Sequence, residues 1–377
     1  MPSDLLLPGI AATQVPTARL TQQVLHPTGV DPLGAGEAVL FVHGNVSSAA
    51  FWQPQLLTLD PRWRPLAVDL RGYGGTEPLP VDARRGVRDW ADDLAALIDA
   101  LGLERVHLVG WSMGAGVVLQ HLLDSPDRVA SVVLVAPVSP YGFGGTTGHD
   151  GRLVHPDGTG SGGGAANAEF VAALAAGDTS ADSPVSPRSI LRAFYVAPGS
   201  LPLEPQLEDV FVGAMLTTRT GADHYPGDAT AVQAWPGTAP GERGVLNTMA
   251  PTVLDVSGIV ELPVRPPVLW VRGDADQIVS DTSAFDLAFL GSVGAVPGWP
   301  GEDVFPPQPM VTQTRAVLDR YAASGGRYRE VLLPGVGHSP HVERPQEFAV
   351  ALLEHLMHPA AAPSNTPETP GPDDIRV

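Results

Sequence analysis

The chain has 377 residues, 44% of them hydrophobic and 17% charged, enough to bury a large core as one elaborated domain or as two. Its 22 basic residues, all arginine, stand against 41 acidic ones, and the resulting net charge of −19 repels phosphate backbones and anionic membrane surfaces, which sets nucleic-acid binding aside. With no cysteine in the chain, disulfides, thiolate metal sites and a cysteine nucleophile are excluded as well.

The N-terminal apolar run "LLLPGIAA" is short and is broken by Pro8 and Gly9, so it makes a poor signal peptide. No window approaches the length of a membrane span, and a cytoplasmic enzyme is the expectation. Apolar runs that lack polar alternation and end at turn residues predict buried strands at 38–44, 65–72, 106–112, 130–137, 267–276 and 328–338. Between the second and third of these, residues 87–102 place Trp90, Leu94, Leu97, Ile98 and Leu101 on one helical face, with Gly102 where a helix would stop. The stretch after Ser112 reads as an amphipathic helix in the same way. Strands alternating with helices predict an α/β fold, a mostly parallel central sheet flanked by helices.

That alternation breaks after residue 138 and resumes near 264. The expected organisation is therefore a core built from 1–138 and 264–358, with 139–263 inserted as a cap or lid, since the segment is too long for a plain connection. Helices are expected within it near 167–176 and 187–196. A second elaboration covers 289–310, and the proline-rich, polar stretch 359–377 is expected to be disordered.

The chemistry centres on Gly110-Trp111-Ser112-Met113-Gly114, a G-x-S-x-G sequence lying between a predicted strand and a predicted helix. In that context the glycines permit a strained, close-packed turn that lifts the serine hydroxyl above the sheet, while the helix N-terminus behind it favours negative charge. A serine is a weak nucleophile without a base. His338 follows the last predicted strand directly, where a loop brings its imidazole over the sheet edge; His341, three residues on, enters the next loop or helix instead. A carboxylate must then fix the imidazole tautomer, and "RGDADQIV" offers Asp274 and Asp276.

Two other patterns are decoys. Gly158, Gly160 and Gly163 match G-x-G-x-x-G but follow polar loop sequence rather than a strand, so they read as a flexible lid loop and not a dinucleotide site. His149, Asp150, His155 and Asp157 lie close together in sequence and could suggest a metal site, but no partner residues to orient them are visible in the sequence, and they read as solvated loop residues. The two elaborations also carry Tyr141, Phe143, Phe170, Phe194, Tyr195, Tyr225, Trp235, Trp299 and Phe305, of which roughly a third are expected to line an apolar pocket.

Over about 36–138 and 264–357 the chain resembles the α/β-hydrolase fold superfamily, its serine-hydrolase, esterase-like branch. The resemblance rests on "VHGN" (42–45), "DLRGYG" (69–74), "GWSMG" (110–114), "RGDADQIV" (272–279) and "GHSPHVERP" (337–345), in that order. It implies that Asp276, within Gly273–Val279, is the acid and Asp274 a loop or helix cap. It implies an oxyanion hole made by the backbone N–H groups of Asn45 and Met113, with His43 structural. "HGNVSSAAFW" is also similar to the opening loop of haloalkane dehalogenases, but Ser112 stands where those enzymes carry an aspartate, which disfavours dehalogenation and epoxide opening alike.

The expected function is thus hydrolysis of a small, apolar carboxylic ester or lactone through Ser112, His338 and Asp276 and an acyl-enzyme, with no metal and no organic cofactor. Three alternatives stay open. A carbon–carbon bond hydrolase would want a lid cation such as Arg188 or Arg192, an aminopeptidase would want acidic residues near the lid, and a non-catalytic binding or receptor protein would have lost turnover.

Overall fold

The computed structural model describes residues 5–60, 62–200 and 202–357. The predicted stretch 359–377, and residue 358 at the edge of the expected core, lie outside the described residues. Eight strands form the main sheet: β1 (Ile10–Pro16), β2 (Thr21–Pro27), β3 (Glu37–Val42), β4 (Trp63–Val68), β5 (Val106–Trp111), β6 (Val129–Val135), β7 (Val268–Gly273) and β8 (Tyr328–Leu333). Their spatial order is β1-β2-β4-β3-β5-β6-β7-β8. From β4 through β8 every neighbouring pair is parallel. All six predicted strands are present, so the fold class is the expected α/β sheet.

The sequence reading missed the antiparallel hairpin β1–β2, whose second strand pairs antiparallel with β4. The physical reason is visible in β2, "TQQVLHP", where Gln22 and Gln23 are buried although polar. Each has its amide satisfied, Gln22 Nε2 donating to Asp93 O and Gln23 Nε2 to Asp69 Oδ2, so burial here rests on hydrogen bonds that no apolar pattern announces.

Helices α1 (Gln53–Thr58), α2 (Arg88–Ala100) and α3 (Met113–Asp124) connect the early strands. The apolar face of α2 falls where periodicity put it, with Trp90, Leu94, Leu97 and Ile98 buried. Amphipathicity fails for α3, in which every residue from Met113 to Leu122 is buried. A helix packed all round needs no polar face, and Gln120 and His121 are buried with the rest.

Between β6 and β7 the segment 139–263 holds α4 (Ala168–Ala176) and α5 (Pro205–Leu216), the second of which was not predicted, together with three short strand pairs. The helix expected near 187–196 is a single α-turn, Pro187–Ile190, continued by a π-helical stretch, Leu191–Tyr195. The glycine run is not a loose loop. Residues 158–163 are buried, and a Cβ on Gly160 would lie 2.5 Å from Phe305 Cζ, one on Gly163 2.3 Å from Asp228 O. Missing side chains here allow close packing rather than slack. The core closes with α6 (Met310–Ala323) and α7 (Pro345–Met357), and no helix among the described residues is long and apolar enough to cross a membrane.

Chain order reverses between β3 and β5, which are neighbours in the sheet although β4 lies between them in sequence. A crevice at the carboxyl ends of strands opens at such a reversal. Asn45 follows β3 and Ser112 follows β5, one on each side of it.

Candidate active site

Ser112 occupies the turn between β5 and α3 with φ 55° and ψ −120°, a conformation that costs a non-glycine residue on the order of 1–3 kcal/mol and persists only where the surroundings impose it. They do. The Ser112 N–H donates to Val135 O at 2.9 Å, and its carbonyl accepts from Ala115 and Val138 at 3.0 and 3.1 Å. A Cβ on Gly110 would lie 2.6 Å from Ala115 Cα, and one on Gly114 2.3 Å from His43 O, so both glycines are required for the turn to pack against β3 and its own helix.

Across the crevice, Asn45 opens a turn in which Val46 also has positive φ, 44°. Asn45 Oδ1 accepts the Val46 N–H at 2.9 Å and the Tyr73 hydroxyl at 2.8 Å, while the Tyr195 hydroxyl donates to Asn45 O and Val46 O at 2.9 and 3.1 Å. Behind it, His43 is fully buried, and burial lowers its imidazole to about 4. Its Nε2 accepts the Leu70 N–H at 3.0 Å and its Nδ1 lies 2.7 Å from Gly44 O, the pattern of a neutral ring that holds two loops together. Among the described residues neither the Asn45 nor the Met113 backbone N–H has an acceptor.

His338 follows β8 and lies with Nδ1 2.8 Å from Asp276 Oδ2, both side chains 3% exposed. The other oxygen of Asp276 accepts the N–H groups of Ile278 and Val279 at 2.8 and 3.0 Å, which orients the carboxylate before it meets the ring. Asp274 faces elsewhere, accepting the Gly335 N–H. Trp111 Nε1 donates to His338 O at 2.8 Å. His341 is buried and stacks on Trp52 with ring centroids 4.1 Å apart, too enclosed to meet a substrate.

Ser112, His338 and Asn45 line one cavity of about 280 Å³. Five of the nine aromatic residues singled out in the sequence face it, Phe143, Phe170, Phe194, Tyr195 and Tyr225, and Phe285 joins them from the loop after β7, outside both elaborations. Trp235, Trp299 and Phe305 instead pack on one another and on the glycine run, and Tyr141 stands over Gly151. Arg188 and Arg192 do not reach the cavity, since both pair with Glu208, at 2.6 and 2.8 Å. His149, Asp150, His155 and Asp157 do not gather either, and among the described residues no group of three or more such side chains could hold a metal ion. Asp157 accepts from Thr159, Asp150 pairs with Arg152, and His155 lies against Phe305.

A family model described as alpha/beta hydrolase fold matches residues 37–160, which include Asn45 and Ser112. The solved carboxylesterase CesB from Bacillus subtilis superposes with a TM-score of 0.53, covering 93% of each chain at 17% identity. The chain has the α/β-hydrolase fold. An esterase from Exiguobacterium antarcticum superposes on this chain with a TM-score of 0.56, at 17% identity over 92% of this chain and 100% of that one. By sequence, the chain is 48% identical over 101 residues to a putative carbamate hydrolase RutD of Variovorax paradoxus, and 37% identical over 114 residues to a 2-hydroxy-6-oxo-2,4-heptadienoate hydrolase of Pseudomonas putida. Those alignments cover 26% and 29% of this chain and 38% and 41% of the relatives, so the match spans less than half the length of each.

Glu343 and Tyr195 escaped the sequence reading as parts of the site. Glu343 lies in the quoted "GHSPHVERP" but no pattern there says what it binds, and Tyr195 stood only in the list of lid aromatics.

Proposed function

We propose that the protein is a serine hydrolase of neutral, apolar carboxylic esters or lactones, with 139–263 as a cap over the crevice. Ser112 Oγ attacks the acyl carbonyl carbon as His338 Nε2 takes its proton, and Asp276 holds the ring and stabilises the imidazolium. The Asn45 and Met113 N–H groups take the charge that develops on the carbonyl oxygen. His338 then protonates the departing alkoxide, and a water activated by the same ring releases the acid from Ser112.

The observation that carries the reading is the character of the cavity. Its wall holds Ser112 and His338 together with mainly aromatic and aliphatic side chains and, among the described residues, no arginine, aspartate or glutamate. A vinylogous diketone acid, the substrate type expected of a carbon–carbon hydrolase, would bring a carboxylate with no cation to meet it. An aminopeptidase substrate would bring an ammonium with no acid. Either unpaired charge would be costly in such a wall, whereas a neutral ester is not.

A panel of p-nitrophenyl esters of increasing acyl length, assayed on the wild type and on Ser112→Ala, tests this. Serine-dependent turnover that rises with chain length until the cavity is filled supports it; turnover of none of the esters sinks it.

A further inference from the structure

Within this cavity the polar groups are almost all committed. Ser161 Oγ donates to Gly158 O at 2.7 Å, Tyr195 Oη is held by the Asn45 loop, and Ser112 and His338 belong to the reaction. Apart from the amide nitrogens of half-buried Asn45 and exposed Asn167, that leaves Tyr225. The residue is 5% exposed and lines the cavity, and among the described residues nothing hydrogen-bonds its hydroxyl, which is not sealed in by protein atoms. Water entering the cavity can partner such a hydroxyl, but a ligand that displaces the water must offer an acceptor or leave the hydroxyl unpaired at a cost in affinity.

The phenol is also held in place before any substrate arrives. Its backbone N–H donates to Arg219 O at 3.0 Å, Arg219 N–H donates to Gly72 O at 2.9 Å, and the preceding His224 carbonyl accepts from Val245 at 2.9 Å. Its ring stands edge-on to Phe170, which lines the same wall, with centroids 6.3 Å apart and planes at 78°. Burial pushes the phenol well above its ordinary range, so it stays a neutral donor. A fixed donor in a largely apolar wall discriminates between a ligand that can satisfy it and one that cannot.

We propose that the Tyr225 hydroxyl is a substrate-recognition donor, and that the site takes esters or lactones bearing a second neutral oxygen, an ether, hydroxyl or carbonyl, apart from the scissile group. The inference rests on the ester-hydrolase reading for the scissile bond but not for the binding. A carboxylate as the second group is excluded by the same uncharged wall that excludes an acidic substrate.

The test uses isosteric pairs in which one methylene becomes an ether oxygen: p-nitrophenyl hexanoate against its 4-oxa and 5-oxa analogues on the acyl side, and butyl against 2-methoxyethyl butanoate on the alcohol side. Tyr225→Phe is expected to lower kcat/KM about 10- to 100-fold on an oxygen-bearing member, mainly through KM, and to leave its all-carbon partner within about twofold. Equal loss on both members of every pair, or no loss on any, overturns the proposal. Calorimetric binding of the corresponding methyl esters, and of the two butanoates, to Ser112→Ala and Ser112→Ala/Tyr225→Phe separates the two readings. Oxygen-selective binding lost with Tyr225 supports the recognition role even if the wild type hydrolyses no ester, and its absence overturns that role even if it does.

Discussion

Glu343 joins two loops through one carboxylate: Oε1 accepts the Gly337 N–H and Oε2 the Ala197 N–H, both at 2.8 Å. Gly337 immediately precedes His338, and Ala197 lies two residues after Tyr195, whose hydroxyl holds the Asn45 loop. The contact is close as well as polar, since a Cβ on Gly337 would fall 2.6 Å from Ala197 N. Segment 195–197 therefore fixes the histidine side and the Asn45 side of the crevice relative to each other.

Removing that carboxylate should cost more in turnover than in binding. Glu343→Ala leaves the N–H groups of two buried residues, Gly337 and Ala197, without an acceptor, a loss of about 2 kcal/mol in unfolding free energy, and it frees the loop that carries His338. We expect kcat to fall about 10-fold or more with KM changed far less, because in the proposed mechanism His338 acts in the transition state rather than in ground-state binding. Glu343→Gln keeps one accepting oxygen and should fall between the two. Denaturant unfolding together with steady-state kinetics on an ester the wild type turns over checks this, and a change confined to KM would contradict it.

The two aspartates of the "GDAD" turn give a sharper test of roles. Asp276 faces His338 Nδ1, and an asparagine there either presents an N–H, which favours the wrong ring tautomer, or an uncharged oxygen that stabilises the imidazolium less. Loss of such a carboxylate lowers kcat by about 10⁴ in serine hydrolases that use this arrangement. Asp274 accepts one backbone N–H from Gly335 at the protein surface, a bond that an asparagine oxygen can keep. Asp276→Asn should therefore lose nearly all activity and Asp274→Asn should keep most of it; the reverse order would refute the assignment.

How far the sequence reached depends on whether local pattern or distant partner decides a residue's place. The parallel strands were legible because burial on both faces leaves unbroken apolar runs such as "VVLV" in β6, fully buried in the structure. Ser112 was legible because its constraint is local, two glycines flanking one strained residue. Gln22 and Gln23 hid β2 because their partners, Asp93 and Asp69, lie some 46 to 71 residues away. Glu343 and Tyr195 were opaque for the same reason, as each acts on backbone about 146 to 150 residues distant. The glycine run 158–163 misled in the opposite direction, because composition does not distinguish glycine that loosens a loop from glycine that admits Phe305 and Asn247 at close range.

That distinction can be measured by comparing two glycine positions. At Gly114 an added methyl meets His43 O at 2.3 Å and Val42 O at 2.6 Å, backbone atoms at the end of β3 that cannot move without opening the crevice. Gly114→Ala should cost more than about 3 kcal/mol or prevent folding, in the range of strained overpacking. At Gly102 nothing lies within 4 Å, and only the φ of +66° resists a side chain. Gly102→Ala should cost about 1 kcal/mol, the penalty of a single left-handed residue. Thermal or denaturant melts of the two variants side by side check the ranking.

Acid should weaken the fold through its buried histidines. His43, His121 and His355 are each lowered from 6.5 to about 4, in each case chiefly by burial. A group whose folded value is depressed adds stability that is fully present above 6.5 and is lost as pH falls towards 4, because the unfolded chain takes up the proton first. Each of the three accounts for up to about 3 kcal/mol over that window. Asp69 and Asp286 act with the opposite sign. Burial raises both carboxyls to about 6, so the folded state takes up their protons first and gains stability as pH falls through the same interval. Those three histidines, with His107 and His341 also lowered, outweigh the two carboxyls and the likewise raised Glu343, leaving a net loss on acidification. His121, on α3 and with no partner for Nε2 among the described residues, is the cleanest probe. His121→Leu should gain stability relative to the wild type as pH drops from 7 to 4, by up to about 3 kcal/mol. Unfolding curves at half-unit pH steps measure that gap, and two profiles that stay parallel across the window would show that His121 is not resisting protonation.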